Sequence, residues 1–132
     1  MLIEIKINTK LREDLLDITD LVVEKIEGTG IKSGLAIIFV PHTTAAILIN
    51  ENADPMVKKD ILEYYKRNVP LDYSYHHLEG NSDAHIKSTL IGNSLTLIIE
   101  NSRVLLGSWQ GIFFCEFDGP RTRKIYIKII QG

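Results

Sequence analysis

Four histidines, His42, His76, His77 and His85, lie at elbows or in a loop, and none sits inside an apolar run. Three imidazoles hold zinc or a similar divalent ion and leave a coordination position open to water or substrate. The spacing does not choose by itself. There is no HExxH and no cysteine pair, so hydrogen-bonded surface turns account for the same residues. His42 belongs to the richest stretch of the chain, PHTTAAILINENADP from Pro41 to Pro55. It reads as a polar elbow, an apolar strand and then an acidic cluster. Thr43 and Thr44 bring hydroxyls to the elbow, and Asn50, Glu51, Asn52 and Asp54 crowd the far end. A core strand needs none of these groups, whereas a site for a metal ion or a charged small molecule does. Glu79 and Asp83 lie near the later histidines. A carboxylate beside an imidazole fixes its tautomer, or binds Mg²⁺ through oxygen. Helix capping explains Asp54 and Asp83 at least as well, so Glu51 is the better candidate for chemistry.

Lys87, Ser88, Arg103, Ser108, Arg121 and Arg123 form a scattered set of anion-capable groups. Tight bends with Arg or Lys nearby bind phosphate, but no GxxxxGK[ST] or GxGxxG specifies a nucleotide. Trp109 is the single tryptophan and stands beside Gln110. Stacking on a flat ring and ordinary packing at a core or interface fit it equally. In IFFCEF, Cys115 shares a side with Phe113 and Phe117, which predicts burial. Glu116 shares the opposite side with Phe114 and becomes a candidate polar site residue if that side looks inward.

The elements that must position these groups read as follows. Leu2–Asn8 alternates as a half-buried strand, which Leu15 and Leu16 extend or pair with. A helix opens near residues 18–20, with Asp17 or Thr19 as cap, and ends at Gly28 and Gly30. Strands are expected at 34–40 and 45–50, and a helix from Pro55 to Asn68, with proline in the first turn. Residues 71–84 form a loop long enough to suspect function. A short helix follows from Asp83 or Ala84 to Gly92, then strands at 94–99, 111–117 and 124–130, with Asp118-Gly119-Pro120 as a turn between the last two. The total predicts α+β: a single domain over residues 1–132, mostly antiparallel sheet or sandwich, with two to three helices packed on one side.

Bulk properties narrow the classes. The 132 residues carry 15 basic and 17 acidic groups, for a net charge of −2. That balance offers no broad attraction to nucleic acid or an anionic membrane. No apolar run approaches the roughly 18 residues of a membrane span. One cysteine excludes an internal disulfide, and a cytoplasmic location is the simplest expectation.

Three separated motifs, HTTAAILINENADP, HHLEGNSDAHIKSTLIGNSLTL and GSWQGIFFCEFDGPRTRKI, closely resemble the YjbQ-like family, also called the secondary thiamine-phosphate synthase family. The resemblance runs from about Asp17 to Ile130. It implies a YjbQ-like α+β fold, a compact homotrimer with sites between subunits, and a weak thiamine-phosphate synthase activity. In that reaction a hydroxymethylpyrimidine diphosphate condenses with a thiazole phosphate and releases pyrophosphate. Position by position, the resemblance implies metal ligands among His42, His76, His77 and His85, with His76 favoured over its neighbour. It implies catalytic roles for Glu51, Lys87, Trp109, Gln110, Glu116 and Arg121, and ligand-binding roles for Thr43, Thr44, Asn50, Asn81 and Ser88. The cofactor expected is a divalent metal ion, zinc or magnesium, with no organic cofactor. The partner expected is a small phosphorylated metabolite, with no nucleic acid and no membrane. A metal-assisted hydrolase and a non-catalytic module for a phosphorylated metabolite are the competing readings.

Overall fold

The computed structural model describes residues 1–132, and every strand pairing in it is antiparallel. The elements in order are β1 (Leu2–Asn8), β2 (Asp14–Asp17), α1 (Thr19–Glu27), β3 (Gly34–Phe39), β4 (Ala45–Glu51), α2 (Pro55–Asn68), α3 (Ser82–Ile91), β5 (Ser94–Glu100), β6 (Arg103–Val104), β7 (Gln110–Glu116) and β8 (Thr122–Gln131). They form a five-stranded sheet of order β1-β8-β3-β5-β6 and a three-stranded sheet of order β2-β7-β4.

The sequence pattern explains the two layers. Alternate residues of the large sheet (Ile5 and Ile7, Ala36 and Ile38, Leu97 and Ile99, Ile125 and Ile127) point one way and join a single core cluster. Ala45 and Ile47 of β4 and Ile112 and Phe114 of β7 meet them from the small sheet. Val22 and Ile26 of α1 complete this core, and both are fully buried. The small sheet is covered on its other face too. Leu15, Ala46, Phe113, Cys115 and Phe117 pack there with Ala84 of α3, and Ile61 and Leu62 of α2 close over them. Two helices therefore cover one face of the small sheet, while the third seals the inter-sheet core.

Two local expectations change. Leu15 and Leu16 do not extend or pair with β1. They form β2, which pairs with β7 in the other sheet, Leu15 opposite Cys115. The two-residue β6 carries too short a pattern to read. Asn101 and Ser102, with φ of 52° and 64°, form the left-handed turn that folds it back on β5. The α2 cap is as the sequence suggests: Asp54 accepts a hydrogen bond from the Met56 N–H at 2.9 Å, and Pro55 takes the first turn. Glu51, which had no assigned structural task, braces the same corner by accepting from the Asp54 N–H at 3.2 Å.

Candidate functional site

The polar elbow after β3, the N-terminal end of α3 and the β7–β8 turn converge on one cleft of about 740 Å³. His42, Thr43, His77, His85, Asn81 and Arg121 line it. The volume suits a small polar molecule. Each element brings its residue for a local reason. The buried Val40 follows the end of β3 and Pro41 prevents the ladder from continuing, so the backbone turns out and carries His42 with it. The β7–β8 turn lies flat against the β1–β2 connection. The Gly119 N–H donates to the Arg12 carbonyl at 3.0 Å, and a Cβ at Gly119 would stand 2.2 Å from the Leu11 carbonyl oxygen. Only glycine permits that approach, which sets Asp118 and Arg121 at the cleft edge.

Beneath the cleft lies a buried ionic network. Glu116 is fully buried and Arg123 is 5% exposed. The guanidinium grips the carboxylate with both prongs, Nε to Oε1 at 2.8 Å and Nη2 to Oε2 at 2.5 Å. Thr9 Oγ1 and the Asp118 N–H also donate to Glu116, at 2.7 and 3.0 Å. Arg123 donates onward to Thr44 Oγ1 at 2.8 Å. Burial alone pushes the Glu116 carboxyl up, but the hydrogen bonds from Arg123, Thr9 and the Asp118 amide hold it below the usual carboxylate range. Glu116 thus looks inward, as its register demands. With every lone pair engaged, it anchors the turn; the group expected to act catalytically is placed here in a closed ionic network beneath the cleft.

His42 is fixed by what it accepts. Its Nε2 receives the Lys124 backbone N–H at 3.0 Å. In a neutral imidazole the other nitrogen then carries the proton, so Nδ1 is a donor. Burial, followed by the positive charge of Arg123, lowers its pKa and favours this neutral form. His77 and His85 differ. Their rings stand edge to face with centroids 5.3 Å apart, and His77 Nε2 lies 3.9 Å from Glu79 Oε2. Two buried polar atoms beside them lack partners: Asn81 Oδ1, whose amide nitrogen donates to Asp118 at 2.9 Å, and Ser88 Oγ. Asn81 lines the cleft, and Ser88 lines an adjoining cavity of about 400 Å³ shared with His42, Thr43 and His85. Buried polar atoms without partners are uncommon, and here they border the same histidines.

The cleft gathers only part of the expected set. His77 lines it and its neighbour His76 does not, which reverses the preference between the two. Arg121 lies at its edge, its guanidinium donating to the Asp118 carbonyl and carboxylate at 2.8 and 3.0 Å. Asn50, Glu51, Trp109 and Gln110 stand at the other end of the small sheet, where Glu51 pairs with Gln110. Seven strand residues at about 3.3 Å each put roughly 20 Å between that end and Thr44. Trp109 is 66% exposed there, and Gln110 is occupied by the Gly107 N–H at 2.8 Å. Within one chain these residues share no site with His42. Lys87 also departs. Two residues beyond His85, it faces away from the cleft, buried at 1% exposure against Glu13 and Asp83. Its partner Glu13, and the Arg12 that pairs with Asp83 beside it, were not anticipated, because a run such as LREDL reads as a solvated turn. Nor do the His, Asp and Glu side chains as placed form any group of three that gathers on one metal ion.

With this geometry in hand, comparison with known proteins settles the family. The model of the UPF0047 protein YjbQ-like family matches residues 3–132. The chain belongs to that family. It is 55% identical to UPF0047 protein MJ1081 of Methanocaldococcus jannaschii, over 98% of this chain and 94% of the relative. It is 52% identical to UPF0047 protein YugU of Bacillus subtilis, over 98% of this chain and 99% of the relative. The crystal structure of a YbjQ-like protein of unknown function from Sulfolobus solfataricus superposes with a TM-score of 0.95 at 35% identity, covering 100% of this chain and 97% of that one. The Sulfolobus protein is described as of unknown function, and none of the three is named as a thiamine-phosphate synthase. The expected pyrimidine–thiazole condensation is therefore corrected: none of these relatives carries that assignment, and in one chain Trp109, expected to stack on a ring, stands at the far end of the sheet from the histidine cleft. No helix is long and apolar enough to cross a membrane.

Proposed function

We propose that the cleft binds a divalent transition-metal ion between His77 and His85, with a small phosphorylated ligand held across it. The observation that carries this reading is the convergence of His42, His77, His85 and Arg121 on one cleft, with His42 fixed as an Nδ1–H donor. Two imidazoles sharing a tetrahedral ion through bonds of about 2.1 Å place their ring centres roughly 5 Å apart, close to the arrangement of His77 and His85. Imidazole donors favour zinc over magnesium. Glu79 is near enough to His77 to orient its ring or to turn onto the ion, and ligand oxygens complete the coordination. His42 Nδ1–H and the free edge of the Arg121 guanidinium are hydrogen-bond donors suited to phosphate oxygens.

The roles separate on mutation. Equilibrium dialysis against zinc is expected to load about one ion per chain, and His77→Ala with His85→Ala removes it. His42→Ala keeps the ion and weakens inorganic phosphate binding measured by calorimetry, while His76→Ala changes neither. Equal zinc in the wild type and the His77→Ala/His85→Ala protein overturns the reading.

The resemblance implies a homotrimer, and we propose that assembly uses the outer face of the large sheet. Leu35, Phe39, Ile98 and Ile130 project from it at 41%, 43%, 51% and 47% exposure. Register places Leu35 between Ile98 and Ile130, and Phe39 beside Tyr126. Phe39 also lines the cleft, so a copy seated on this face would border the site.

A further inference from the structure

A second cavity, of about 670 Å³, opens on the opposite side of α3 from the histidine cleft. Its size is that of a site for a small organic molecule. It exists because α2 stands off the body of the protein: none of the 14 residues of that helix is buried. Leu11, Met56 and Leu71 line the cavity yet are 58%, 53% and 52% exposed, so its walls are apolar and open to solvent. The floor is built and rigid. Lys87, 1% exposed, is held by Glu13 and by Asp83 at 2.9 Å, and Arg12 pairs with Asp83 at 2.9 Å. Those charges neutralise one another within the floor.

The rim is different. Lys58 is paired with Asp14 at 3.0 Å, but Lys59 and Lys66 make no ion pair. With Pro55 and Leu62 they follow helical spacing along the cavity, and Glu63 lies on the same face, four residues from Lys59 and three from Lys66, so the rim sets two cations against one carboxylate and keeps a net positive charge beside its apolar stripe. A ligand that satisfies both features has an apolar body and an anionic head. We infer that this groove is a binding site for a small amphipathic anion, an acyl or aryl chain ended by a carboxylate or sulfonate. The chain lies along Leu11, Met56, Leu62 and Leu71, and the head sits against the ammonium groups of Lys59 and Lys66, turned away from the Glu63 carboxylate.

The test is a fluorescence titration of the full-length protein with anilinonaphthalene sulfonate. Saturable binding of one dye per chain is expected, displaced by decanoate, more weakly by octanoate, and poorly by decanol. The exposed double variant Lys59→Glu/Lys66→Glu is expected to weaken dye and decanoate binding at least tenfold, and Leu71→Ser to weaken both. Ile98→Asp, on the outer sheet face, is expected to leave them unchanged. Three results each overturn the proposal: no saturable binding to the wild type, equal displacement by decanol and decanoate, or dye binding lost in Ile98→Asp and kept in the double lysine variant.

Discussion

At the scale of single residues, the division of labour between Glu116 and His42 decides what the cleft can do. Glu116 and Arg123 form a buried pair completed by Thr9, Thr44 and the Asp118 amide. Removing one member of such a pair leaves the other charge buried and uncompensated, at a cost of about 3–5 kcal/mol. Glu116→Gln is expected to fall in that range by urea unfolding at pH 7. The sign of the pH effect follows from the lowered carboxyl pKa values of Glu116 and Asp83. A carboxylate whose folded pKa lies below its unfolded value stabilises the fold above the unfolded value, near pH 4 for Asp and Glu, and loses that contribution as pH falls through the folded value. Glu116→Gln should therefore flatten the acid limb of the stability profile below about pH 4.3. An unchanged slope would show that the Glu116 pKa is not lowered in the folded protein. His42 adds a loss of the same sign at higher pH, because its lowered pKa means that the unfolded chain takes up the proton first as pH falls through about 6.5.

At the scale of elements, α3 separates two sites by helical geometry alone. His85 and Lys87 are two residues apart, which at 100° per residue sets them on opposite faces. His85 reaches the histidine cleft, while Lys87 supports the groove under α2. This is why the candidate site was only partly legible. Strands β1, β3, β4, β5, β7 and β8 announced themselves through alternating or apolar runs and α2 through Asp54-Pro55, whereas β2 and β6 did not. The elbow at Pro41–Thr44 was equally plain, because polar groups interrupt two apolar runs. Linear proximity misled elsewhere. Glu51 follows His42 by nine residues, but a straight strand carries it to the far end of the sheet, and Lys87 follows His85 by two but faces away. Nor does any local pattern reveal that Arg12 meets Asp83 and Glu13 meets Lys87, since those contacts close over more than 70 residues of chain. The α2 cap gives a local check. Asp54→Ala should cost about 1 kcal/mol in thermal unfolding through loss of the Met56 amide bond, without altering zinc uptake at the cleft.

At the scale of the whole molecule, two exposed regions lack a partner within the chain. One is the outer face of the five-stranded sheet. The other is the end of the small sheet that carries Asn50, Glu51, Trp109 and Gln110. A sheet with one face packed on the core normally turns polar residues to water on the other. This one turns out Leu35, Ile37, Phe39, Ile98 and Ile130, with Lys128 opposite Ile37 as a cation set among them, an apolar patch larger than a solvated sheet face needs. Closed assembly on this face would border the cleft through Phe39, and a neighbour's tryptophan end is then a candidate to complete it. Sedimentation velocity of the wild type is expected to show three chains. Ile98→Asp, which places a charge in the middle of the apolar face, should give single chains with unchanged far-ultraviolet circular dichroism. If the cleft is complete within one chain, the single-chain form binds zinc and phosphate as the assembly does. If a neighbour supplies part of it, zinc stays with His77 and His85 while phosphate affinity falls, and Trp109→Ala in the assembled protein reproduces that fall. A wild type that sediments as one chain would refute the proposed interface.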